Sequence, residues 1–172
     1  MMSDCTNWGT GVLVDWQLAI LADDFLCEPP LVSLYDYRLI NPASIDLRLA
    51  DSYIDLHTGK QEQFTALDLL PGDAILACTL EYVSIPEWCS ATLYLKSSAA
   101  RAGLDHALAG WVDPGFSGQL TLELHTHRAV TLHAGKCYIQ MVVQKNSAIP
   151  ERSYKSTGRY NGQTGPTESK GI

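Results

Sequence analysis

Along much of this chain, hydrophobic and polar residues alternate with the period of two that a strand with one buried face requires. Gln119-Leu120-Thr121-Leu122-Glu123-Leu124 puts three leucines on one face and Gln119, Thr121 and Glu123 on the other. Ser44-Ile45-Asp46-Leu47-Arg48-Leu49 repeats the pattern and predicts a half-buried strand. Further strands are expected at residues 74–80, 82–86, 91–95 and 136–143. Turn residues separate them, with Leu70-Pro71-Gly72-Asp73 before the first and Leu132-His133-Ala134-Gly135 before the last. One stretch has a helical period instead. Between residues 15 and 25, Leu18, Leu21, Ala22 and Phe25 share a face, Asp15 stands as N-cap, and Glu28-Pro29-Pro30 ends the segment.

Many short strands after a single early helix predict an all-β barrel or jelly-roll-like domain. The chain lacks βαβ alternation, a GxGxxG run and a phosphate-loop lysine motif, which counts against a doubly wound nucleotide fold. It has no internal repeat, and its 172 residues suit one domain, 1–172. From Ser147 the composition turns polar and rich in Gly, Ser and Thr. Residues 147–172 read as a flexible terminus or, because Arg159, Tyr160 and Gln163 stand beside glycines, as a lid that orders over a ligand.

Charge narrows the partners. A formal net charge of -7 argues against non-specific nucleic-acid binding, yet a few placed cations suffice for a triphosphate. No apolar run approaches the ~18 residues of a membrane span, and the N-terminus lacks a signal-peptide pattern, so a cytoplasmic protein is expected. Cys5, Cys27, Cys78, Cys89 and Cys137 contain no CxxC pair and read as mostly buried, reduced thiols rather than disulfides or a zinc site.

Glu123 is the sharpest candidate for chemistry, since a carboxylate among apolar neighbours asks for a reason; on a generic strand its face would simply be solvated. Lys96-Ser97-Ser98-Ala99-Ala100-Arg101 follows an apolar strand and offers cations, hydroxyls and backbone N–H groups to an anion, although alone it reads as a solvated turn. Asp113 sits in the turn Ala109-Gly110-Trp111-Val112-Asp113-Pro114-Gly115. Trp111 reads as an apolar wall or core residue whose indole N–H needs a partner if buried. His125-Thr126-His127 puts two imidazoles on one strand face, but with no third ligand nearby in sequence a solvated strand end is the better reading. His106, in the loop before the turn, reads as near the site but is given no role. A Gly-x-Ser-x-Gly elbow is absent, and so is the H-x-E with P-C-x-x-C pattern of zinc deaminases.

In this order the motifs resemble those of the dCTP deaminase family of the dUTPase-like superfamily, from about Leu13 to Lys170 and most strongly after Leu70. Pro42-Ala43-Ser44-Ile45-Asp46-Leu47-Arg48-Leu49 is similar to the family's first signature. Lys96 to Arg101 is similar to its Arg-Ser-Ser-x-x-Arg segment, and Arg159-Tyr160-Asn161-Gly162-Gln163-Thr164-Gly165-Pro166-Thr167 to its closing lid. The resemblance implies a distorted jelly roll assembled as a homotrimer with active sites between subunits. It also implies zinc-independent conversion of dCTP to dUTP and ammonia, with magnesium carried on the triphosphate and no direct protein ligand to the metal.

It further implies that Glu123, Ser97, Arg101 and the Ala109 carbonyl are catalytic. Lys96, Ser98, Ala99, Ala100, Trp111, Asp113, Thr121, Leu122, Tyr154, Arg159 and Gln163 then bind the nucleotide, whether dCTP, dUTP or dTTP. Three departures stand out: Lys96 replaces the usual arginine, the loop Leu104 to Leu108 is about one residue shorter, and Trp111 occupies a position that is arginine in some purely deaminating members. Ala-Gly followed by an aromatic is more like members that also hydrolyse dUTP to dUMP. A dUTPase alone, a nucleotide-binding trimer without turnover and a jelly-roll protein that binds no nucleotide are the other readings.

Overall fold

The computed structural model describes residues 7–23, 25–107 and 109–171; Cys5 and Leu108 lie outside them. Strands dominate, as the alternation predicts. β1 (Gly11–Val12) precedes α1 (Asp15–Ala22), and β2 (Ile40–Asn41), β3 (Ser44–Asp55), β4 (Gln61–Gln63), β5 (Ala66–Leu69) and β6 (Ala74–Ser84) follow. Next come β7 (Cys89–Leu95), α2 (Ser97–Ala102), β8 (Leu104–His106), β9 (Trp111–Val112) and β10 (Ser117–Thr126). β11 (Val130–His133), β12 (Cys137–Lys145) and α3 (Tyr154–Thr157) complete the order. The segments read separately at 74–80 and 82–86 are largely one strand, β6. The turn expected from Leu132 begins two residues later, because Leu132 is a fully buried member of β11.

The main sheet runs β8-β10-β6-β3-β12-β7-β9, with short β1, β2 and β4 attached, while β5 and β11 form a separate pair. β3 turns the corner. Its first half pairs with β12 and its second half with β6, with a register shift between Leu49 and Tyr53. A strand that changes partners across an irregularity lets one sheet curl over a single core. Leu47, Leu49, Ala77, Leu122, Leu124 and Met141 lie in that core. The expectation of a half-buried strand at residues 44–49 is exceeded, since Ser44 and Asp46 are buried as well. Asp46 is satisfied by the Asn41 amide, 2.8 Å away, and by an ion pair with Lys96.

α1 buries Leu18, Leu21 and Ala22 as its period predicts, but it ends at Ala22, before the proline pair, and Phe25 is exposed. Val14 rather than Asp15 is the N-cap, and its N–H donates to the Gln17 side chain at 3.0 Å. Asp15 instead occupies the first turn, where the helix dipole favours a carboxylate. Cys78 and Cys89 are buried, Cys27 and Cys137 half-buried. No helix among the described residues is long and apolar enough to cross a membrane.

Candidate active site

β10 shows the alternation read from its sequence, with every second side chain from Gly118 to Thr126 buried. Its other face is not simply solvent. Glu123 and Thr121 line a cleft of about 730 Å³, within the range of small-molecule sites. Ala109, Trp111 and Asp113 form one side of it, Leu76, Leu93 and Phe116 an apolar floor, and Tyr154, Tyr160 and Gln163 the cover.

The turn at Asp113 is built by its sequence. Pro114 occupies the second position and Gly115 the third with φ +82, and the Phe116 N–H returns to the Asp113 carbonyl at 3.1 Å. A Cβ on Gly115 would lie 2.3 Å from the Ser153 hydroxyl, so the tail packs directly on this turn. Trp111 is 57% exposed, a wall and not a core residue, and its indole N–H donates to Asp113 at 3.0 Å. That bond ties the ring to the Asp113 carboxylate, and both residues line the cleft.

The tail is held rather than loose. Backbone and side-chain groups of residues 161–167 run along the first half of β10, an edge that β8 pairs only from Leu124 onward. The Asn161 side chain accepts from the Ser117 N–H at 2.7 Å, the Gln119 N–H donates to the Gln163 carbonyl at 2.9 Å, and the Gln163 amide donates to the Gln119 carbonyl at 2.7 Å. The Thr167 N–H donates to the Thr121 hydroxyl at 3.2 Å. The Tyr154 N–H donates to the Pro114 carbonyl at 2.9 Å, seating α3 on the turn.

Glu123 is the chemical centre of the cleft. Its Oε2 is buried without a hydrogen-bond partner and lies 3.3 Å from Nε2 of His106, itself buried and unpaired. The two atoms are close enough for an ion pair but not aligned for a hydrogen bond. Neither has its hydrogen-bonding capacity spent within the protein, and Glu123 lines the cleft.

Ala109, Trp111, Asp113, Thr121, Glu123, Tyr154 and Gln163 are therefore brought together. Lys96, Ser97, Ser98, Ala99, Ala100 and Arg101 are not. Ser97 to Arg101 form α2 rather than a turn; Ser97, Ser98, Ala100 and Arg101 are exposed away from the cleft, Ala99 is buried, and Lys96 is engaged by Asp46. The Leu122 side chain lies in the core, and Arg159 bonds to the Gly171 carbonyl outside the cleft. Tyr160 and Thr167, both within the lid segment, also line the cleft, His106 joins through its contact with Glu123, and Glu168 and Ser169 are additions that no sequence motif marks. For His106 the available signal was its place in the loop before the turn; Glu168 and Ser169 carried none. At the far end of β10, His125 and His127 do have a third neighbour, Asp105, supplied by β8 rather than by nearby sequence.

Residues 30–146 match a family model described as dCTP deaminase-like. The "dCTP deaminase, dUMP-forming" of Aquifex aeolicus is 36% identical over 154 residues, covering 81% of this chain and 84% of the relative. The protein of the same name from Methanoregula boonei is 35% identical over 182 residues, covering 92% and 96%. The crystal structure of 2'-deoxycytidine 5'-triphosphate deaminase from Agrobacterium tumefaciens superposes with a TM-score of 0.66 at 19% identity. It covers 80% of this chain and 48% of that one, so the chain spans about half its length. This likeness and the strand architecture bear out the expected dUTPase-like jelly roll.

Proposed function

The chain belongs to the dCTP deaminase-like family, and from that membership we propose that it deaminates dCTP in the cytosol and hydrolyses the resulting dUTP to dUMP and pyrophosphate. The observation that carries this reading is the unpaired, buried Oε2 of Glu123 on the cleft wall. A buried acceptor without a partner costs about 1–3 kcal/mol. A bound substrate or water relieves that cost.

Glu123 takes a proton from the attacking water as the C–O bond forms at C4 of cytosine and passes it to N3. Glu123 then moves the proton of the new C4 hydroxyl to the 4-amino group, so that C4=O forms as the C4–N bond breaks and ammonia leaves. His106 Nε2, 3.3 Å from the carboxylate, limits where Oε2 can swing, and Leu76, Leu93 and Phe116 keep bulk water out. The Ala109 carbonyl orients the amine and Asp113 accepts from the sugar 3'-hydroxyl, while Ser97 and Arg101, which lie away from their own chain's cleft, would from a neighbouring subunit orient the water and hold Glu123 or a phosphate. A magnesium ion would be held by the oxygens of the triphosphate, with no direct protein ligand. When bound it neutralises phosphate charge.

Two features favour dUMP over dUTP as the final product, reversing the order in which the sequence motifs place them. The relatives at 36% and 35% identity are named dUMP-forming, and Ala109-Gly110-Trp111 carries the aromatic of that kind of member. A homotrimer belongs to the same proposal. What supports it is the exposure of Ser97, Ser98 and Arg101 on α2, away from their own chain's cleft and free to complete a neighbour's.

The test offers dCTP and dUTP separately to purified protein with magnesium and separates the nucleotides. The expected product from both is dUMP, with ammonia from dCTP alone. Accumulation of dUTP with no dUMP would remove the second step, and the absence of any uracil nucleotide from dCTP would remove the first.

A further inference from the structure

The end of β10 holds a cluster that the proposed reaction does not use. Asp105 on β8 is the cross-strand partner of His125 on β10, and His127 stands immediately beyond the strand. Oδ2 of Asp105 lies 3.4 Å from Nε2 of His125 and 3.5 Å from Nε2 of His127. All three donor atoms fall within 4.8 Å of one another. The imidazoles meet edge to face, with centroids 5.3 Å apart, so both Nε2 atoms converge without stacking.

The backbone beneath these donors is fixed. β8 and β10 are paired from Leu124 to Thr126, the His127 N–H donates to the Gly103 carbonyl at 2.9 Å, and the Thr126 hydroxyl donates to the same carbonyl at 3.0 Å. Bonds of about 2.0 Å from a tetrahedral zinc ion to imidazole and carboxylate put neighbouring donors about 3.3 Å apart. Both separations to Asp105 are close to that edge, and the imidazole pair closes the third by side-chain rotation.

We infer that Asp105, His125 and His127 form a binding site for one zinc-class divalent ion, separate from the nucleotide's magnesium. Two imidazoles and one carboxylate suit a borderline ion such as zinc, nickel or cobalt over magnesium or calcium, which take oxygen donors. Three protein donors leave the remaining position to water. The consequence is mechanical: His106, facing Glu123, directly follows Asp105, so a bound ion clamps the strand carrying His106 to the strand carrying Glu123.

The test uses the full chain without an affinity tag, stripped of metal by a chelator, then titrated with zinc by calorimetry and with cobalt by absorption. The expected result is one ion per chain, cobalt d–d bands without thiolate charge transfer, and a melting temperature that rises with zinc. Removing even an outer-shell partner of a metal site typically weakens it about 10- to 100-fold. His125→Ala, His127→Ala and the near-isosteric Asp105→Asn should therefore each lower zinc affinity at least about tenfold. Magnesium in excess should not displace zinc. No uptake by the native chain would overturn the inference. So would undiminished uptake by folded Asp105→Asn or by the His125→Ala/His127→Ala pair, since the ion would then sit elsewhere.

Discussion

Glu81 and Glu123 lie on neighbouring strands of one sheet, and the protein treats them in opposite ways. Glu81, 1% exposed at the bend of β3 over β6, is saturated: Oε1 accepts from Nε of Arg48 at 2.6 Å and Oε2 from the Arg48 N–H at 2.8 Å. Glu123 keeps one buried oxygen unpaired, beside an imidazole that is not aligned to donate to it. A carboxylate with both oxygens engaged holds two strands together and offers little to a ligand. One left incomplete adds little to the fold and keeps its chemistry available.

The comparison is broken most sharply by Glu123→Gln. Loss of a positioned general base costs about 10²- to 10⁴-fold in rate, so release of ammonia from dCTP should fall by at least that lower bound. Hydrolysis of dUTP, which needs no proton moved onto the base, should fall less, and the melting temperature should not drop. Equal losses in both steps, measured by product analysis, would give the two reactions a shared base.

Arg48→Ala should do the reverse. Stranding Glu81 in the core costs about 3–5 kcal/mol, to be read from urea unfolding, while any folded fraction keeps its cleft chemistry. Gly115→Ala sits between the two: a side chain at φ +82 that meets Ser153 should destabilise by about 1–3 kcal/mol and unseat α3. Greater susceptibility of the tail to proteolysis is the expected signature.

The smallest effect belongs to a third buried group. Burial pushes the Cys78 thiol up to about 11, against an ordinary value of 9.0. With the folded value raised, the stability it contributes is complete below pH 9 and fades as pH climbs toward 11. At pH 8, Cys78 should resist alkylation until the chain is unfolded.

Residues close in sequence were legible. The alternation at 119–124 places Glu123 on the right face, and the Pro114-Gly115 pair marks its turn. What could not be read depends on pairings across long separations. Gln163 reaches the Gln119 backbone and Asn161 the Ser117 backbone, partners that every residue offers, so the sequence suggests a loose terminus or a lid without saying where it would lie. Asp105 meets His125 and His127 because β8 pairs with β10, a register invisible to ligand-spacing rules. Lys96 was assigned to phosphate for its charge, yet Asp46, itself read as solvent-facing, lies buried within its reach. Phe25 kept the helical period on paper after the helix had ended at Ala22.

The tail has a second duty that catalysis does not describe. By running along the first half of β10, residues 161–167 occupy a row of backbone donors and acceptors that would otherwise form an open sheet edge. Open edges recruit strands from other molecules. A chain shortened before Asn161 therefore loses more than a cover for its substrate. It bares an adhesive border, and aggregation of the shortened chain is the expected outcome.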